Sequence, residues 1–80
     1  MNITHEVTLH LGVLSERIDR NNTGWTKEIN LVSWNGNDPK LDIREWNHDK
    51  SRMSKGITLT FDEAETLCKI LNEYLGERGQ

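Results

Sequence analysis

Lys40, Arg44 and Trp46 fall at even steps along Lys40-Leu41-Asp42-Ile43-Arg44-Glu45-Trp46. In an extended strand, successive side chains point to opposite faces. Leu41, Ile43 and Glu45 therefore share one face, and Lys40, Asp42, Arg44 and Trp46 share the other. A strand that buries Leu41 and Ile43 shows a lysine, an arginine and a tryptophan together on its second face. Cations meet phosphates and flat rings stack on bases, which is the chemistry that holds an unpaired nucleic-acid strand. The run Lys50-Ser51-Arg52-Met53-Ser54-Lys55-Gly56-Ile57 follows, with three cations and no acid.

Two further tryptophans bear on this reading. Trp34 sits beside Val32, opposite in parity to Ile29 and Leu31, and so joins the candidate stacking residues. Trp25 shares parity with Ile29 and Leu31, which leaves it open between core and binding surface. The bland readings are a solvated surface for the cations, balanced by Asp42, Glu45 and Asp49, and core or dimer packing for the rings. Aromatic and arginine side chains also make protein-interface hot spots. A protein-interaction module of the transcription machinery is therefore the alternative function, and single-stranded RNA an alternative ligand.

Other chemistry finds little support. Cys68 lies in an apolar helical stripe and reads as a small core residue. His5, His10 and His48 lack metal-type spacing. No carboxylate pair falls in a catalytic pattern, and Gly36 and Gly56 are isolated, so there is no Gly-rich phosphate loop. The expectation is a protein without enzymatic activity, metal or cofactor.

The chain has 80 residues, a net charge of −3 and a single cysteine, which rules out an intramolecular disulfide. A domain this small is marginal alone, so a homodimer is expected. No stretch approaches the ~20 apolar residues of a membrane span. The first residues lack a signal-peptide pattern. A cytoplasmic location is expected, with nucleoid association left open. The net acidity speaks to solubility, whereas a local patch decides binding. Residues 24–56 hold six basic and five acidic side chains, whereas residues 57–80 hold two against five.

The elements that must position these residues can be read in order within one domain, residues 1–80. Alternation predicts strands over about 3–14, 25–34, 40–46 and 56–59. In the first, Ile3, Val7, Leu9, Leu11 and Val13 share one parity. Asn35-Gly36 is a favoured type I′ pair. Thr60-Phe61-Asp62-Glu63 is a capping box. It opens a helix over about 61–75, with an apolar stripe from Phe61 to Leu75 that Gly76 ends. Strands followed by a helix predict an α+β fold, with the helix on one sheet face and the other left available.

Asp42-Ile43-Arg44-Glu45-Trp46, then Lys55-Gly56-Ile57-Thr58-Leu59 and the capped helix, resemble the positive cofactor four family of transcriptional coactivators. Gly24-Trp25-Thr26-Lys27-Glu28-Ile29-Asn30 and Val32-Ser33-Trp34-Asn35-Gly36 are similar to its small bacterial members, the YdbC type. The resemblance implies a curved four-stranded antiparallel sheet followed by one C-terminal helix, β-β-β-β-α, in a two-fold homodimer. It implies a coactivator-like protein that binds single-stranded DNA with little sequence preference in the concave sheet face. Lys27, Trp34, Arg44, Trp46 and Lys55 match family positions. Together with Lys40, Lys50, Arg52 and Trp25 they form the expected nucleic-acid-binding set. The turn between the second and third strands has one cation, Lys40, where the eukaryotic proteins are lysine-rich. Their serine-rich acidic arm has no counterpart in this sequence. Both departures imply weaker binding than theirs.

Overall fold

The computed structural model describes residues 3–47 and 51–78. Four strands, β1 (His5–Ile18), β2 (Gly24–Trp34), β3 (Lys40–Asn47) and β4 (Ile57–Leu59), precede one helix, α1 (Phe61–Arg78). The strands form one antiparallel sheet in the order β1-β2-β3-β4. The predicted α+β order therefore holds.

Local chemistry explains the joints. Asn35 and Gly36 both have positive φ, 54° and 75°, as a type I′ turn requires, and the Asn37 amide donates to the Trp34 carbonyl at 3.0 Å. Asp19 organises the β1–β2 loop. One carboxylate oxygen accepts from the amides of Asn21 and Thr23, and the other accepts from the Trp25 indole, each at 2.9 Å. The capping box forms as predicted. The Thr60 hydroxyl accepts from the Glu63 amide at 3.1 Å, and the Glu63 carboxylate accepts from the Thr60 amide at 2.8 Å. The helix runs on through Gly76 to Arg78. A glycine inside a helix costs only about 1 kcal/mol, too little to stop it alone.

Cross-strand rows define the two faces. Leu9, Leu31, Leu41 and Leu59 make one row, and Gly12, Ile29, Ile43 and Ile57 the next. On the opposite face lie Val7, Val32 and Lys40, then His10, Asn30, Asp42 and Thr58, then Val13, Glu28 and Arg44. The β3 alternation is as the sequence predicts. The β1 alternation is not, because register shifts fall at Val7/Leu9, His10/Gly12 and Val13/Ser15. Each adds one residue to β1, so Val7 and Leu9 land on opposite faces, and Val7, His10 and Val13, three apart, share one.

The polar face is the more deeply buried. Val32 and Asp42 are 0% exposed, and Asn30 and Trp46 are 1% exposed. The reason is curvature. Trp46 stands opposite Thr26, eight positions from Trp34 along β2, about 26 Å if the strand were flat. Yet the His5 ring lies 5.7 Å from the Trp34 ring and 5.4 Å from the Trp46 ring. The strands bend to bring them together, which makes the polar face the inside of the curve.

The apolar face is left half-covered, because α1 touches the sheet only at β3 and β4. Leu9, Leu11, Leu14, Ile57, Phe61, Ile70, Leu71, Tyr74 and Leu75 are all exposed. Cys68, expected in a core, is exposed with them.

Candidate nucleic-acid interface

Arg44 anchors the candidate site. Its Nε and Nη2 each donate to a separate Asp42 oxygen at 2.7 Å, a bidentate pair. Its guanidinium carbon lies 4.6 Å from the Trp34 ring centroid. Nη1 faces the Ser54 carbonyl at 3.4 Å and the Met53 sulfur at 3.7 Å. The side chain is 12% exposed and that of Asp42 is 0% exposed. Arg44 is thus a fixed plate rather than a mobile cation, with its charge largely balanced from behind. The Trp34 indole N–H is buried with no hydrogen-bond partner among the described residues.

Lys55 reaches the site through an irregularity. Ile43 pairs with Ile57, but Trp46 pairs with Met53, and the Ser54 amide donates to the Glu45 carbonyl at 3.0 Å. The two registers differ by one residue, so a one-residue bulge falls at Lys55–Gly56. Gly56 is needed there. A Cβ on it would lie 2.4 Å from both the Arg44 Cβ and the Ile43 carbonyl oxygen. The bulged segment closes a groove of about 470 Å³ lined by Lys27, Ile43, Arg44, Glu45, Lys55 and Ile57, among others. Lys27 and Lys55 are both exposed. The Glu45 carboxylate is held on the far side by Arg17, whose Nε and Nη2 donate to it at 2.7 and 2.9 Å. That hydrogen-bonded pairing holds the Glu45 carboxyl below its ordinary pKa.

The residues expected to bind nucleic acid therefore divide. Lys27 and Lys55 both line the groove on the face of Ile43 and Ile57, whereas the Arg44 guanidinium stacks on Trp34 on the other face of β3. Lys40 is exposed on the same face as Arg44, and Arg52 is exposed beside the bulge. Trp46 lies with Arg44 as expected, but it is 1% exposed under His5. In this conformation it packs the inside of the curve and offers no open ring to a base. Trp25 is on the opposite face, its indole bound to Asp19 and its ring 5.5 Å from the Arg17 guanidinium carbon. Lys50 lies outside the described residues. The Asp42 clamp and the bulge at Lys55 were missed in the sequence. Asp42 two positions before Arg44 was visible there, but parity alone says only that the two share a face.

Residues 21–70 match the family model described as Transcriptional Coactivator p15 (PC4). The chain belongs to this family. The matched segment of this PC4-family protein carries β2, β3, β4 and the first half of α1, and with them Lys27, Trp34, Arg44 and Lys55. β1 precedes it. A protein of Treponema pallidum (strain Nichols), described as uncharacterized, is 46% identical over 68 residues, covering 85% of this chain and 75% of its own length. Among the described residues no helix is long and apolar enough to cross a membrane, and no cluster of residues suits a metal ion.

Proposed function

We propose that this protein binds single-stranded DNA with little sequence preference, as a homodimer, in a coactivator-like role in transcription and without catalysis. PC4-family membership supports this reading. The observation that carries it is the set of cations around β3: the exposed Lys27 and Lys55 line a groove with Ile43 and Ile57, and on the other face the exposed Lys40 accompanies Arg44, which stacks on Trp34. Exposed lysines give phosphate contacts, and a guanidinium–indole stack gives a flat edge for bases. The homodimer is supported by the exposed leucines of β1 and the exposed apolar stripe of α1, more apolar surface than a lone small domain leaves in water.

Fluorescence anisotropy with labelled oligo-dT and a duplex of equal length tests the proposal. Oligo-dT should bind more tightly than duplex, and Lys27→Ala with Lys55→Ala should weaken it severalfold. Equal binding of duplex, or an unchanged double variant, would overturn it. Light scattering at micromolar concentration tests the dimer, and a monomer mass would count against it.

A further inference from the structure

The inside of the curve opens between β1 and β2. Val7, His10, Val13, Glu28 and Asn30 line a pocket of about 370 Å³ there. Its walls are the two valines, both exposed at the rim. Its floor is polar and buried, with Glu28 3% and Asn30 1% exposed.

The hydrogen bonds fix the floor's orientation. Asn30 Nδ2 donates to Glu28 Oε1 at 3.2 Å, so Asn30 Oδ1 must face the other way. It faces His10 Nδ1 at 2.7 Å, and that nitrogen must then carry the proton. His10 Nδ1 also lies 3.4 Å from Glu28 Oε1. The His10 side chain is 52% exposed, so it is the member that can swing aside. When it does, the floor presents two neighbouring acceptors, Asn30 Oδ1 and Glu28 Oε1.

A buried carboxylate repels phosphate, so on a strand-binding face it suits a base with the backbone held outward. Two adjacent acceptors suit two adjacent donors. Guanine offers N1–H and N2–H on its Watson–Crick edge, which is exposed in a single strand. Thymine offers a single N3–H between two carbonyl acceptors that would face the floor's own acceptors. We propose that this pocket is a guanine-preferring base subsite, with Glu28 and Asn30 as the reading residues and His10 as the group the base displaces. The inference rests on the strand-binding reading above. It adds a local preference to a face otherwise tolerant of sequence.

The test is anisotropy with oligo-dT and a d(TG) repeat of equal length. One good pair of base-edge hydrogen bonds predicts about tenfold tighter binding of the repeat. Inosine, which lacks the N2 amine, should lose most of that ratio, and 7-deazaguanine should keep it. Glu28→Gln should collapse the ratio. Val13→Phe, a rim change that fills the pocket without touching the floor, should collapse it too and guards against misfolding of the first variant. A wild-type ratio near one, with oligo-dT still bound, would overturn the subsite and leave the proposed function standing. A ratio that survives Val13→Phe would also overturn it. If no oligonucleotide binds, the strand-binding reading fails and the subsite with it.

Discussion

Asp42→Ala should cost this protein about 3–5 kcal/mol, the usual result of removing one partner from a buried ion pair. The estimate follows from the geometry. Asp42 is 0% exposed and accepts two charge-assisted hydrogen bonds at 2.7 Å, and the Arg44 side chain is 12% exposed. Without the carboxylate, the guanidinium keeps the Trp34 ring and, at Nη1, a carbonyl and a thioether contact, none of which carries a countercharge. A domain of this size has roughly 4–12 kcal/mol of stability in total, so the loss is a large share of it. Urea unfolding at one fixed protein concentration reads the change, since an assembling protein's stability depends on concentration. The double variant Asp42→Leu with Arg44→Met removes both charges from the buried site. It should cost far less than the single variant, because no unpaired ion remains. A loss below about 1 kcal/mol for Asp42→Ala would refute the reasoning. The pair would then behave as a solvated surface bridge, and Arg44 would not be a fixed plate.

Gly56→Ala should lift the bulged segment off β3, because both obstructing atoms are held by that strand. The expected cost is about 1–3 kcal/mol in unfolding experiments, with weaker oligo-dT binding as Lys55 moves. Thr60→Ala should lose about 1 kcal/mol and some helical circular dichroism, as the cap of α1 is removed. Acid should destabilise the fold through Glu45 and Asp19. The Glu45 carboxyl is lowered mainly by Arg17, and that of Asp19 by the Thr23 amide and then the Trp25 indole. A lowered folded-state pKa gives stability that is present above the unfolded value near 4 and is lost as pH falls through the folded value. Both groups are only half-buried and still meet solvent, so the effect is small. Arg17→Ala should shrink the fall in melting temperature between pH 6 and pH 3, and an unchanged fall would contradict the assignment.

The alternation of β3 was legible because period two survives wherever a strand pairs without a bulge. It placed Lys40, Asp42, Arg44 and Trp46 on one face correctly. The capping box and the Asn35-Gly36 turn were legible for the same local reason. β1 was not, since three inserted residues shift its parity and no residue type announces them. That is why Val7, His10 and Val13 were not seen as one surface. The burial of Trp46 was hidden too, because burial depends on curvature, and curvature comes from strand pairing across the sheet. Gly56 looked like an isolated glycine. Its role follows from a backbone approach that only the folded chain contains.

Salt dependence of oligo-dT binding tests the central claim most directly. Each phosphate neutralised on a single strand contributes about −0.7 to the slope of log affinity against log salt. With groove contacts at Lys27 and Lys55, the slope should be about −1.4, and Lys55→Ala should reduce its magnitude by about 0.7. A flat slope, or one that Lys55→Ala leaves unchanged, would contradict a strand-binding groove built on that residue.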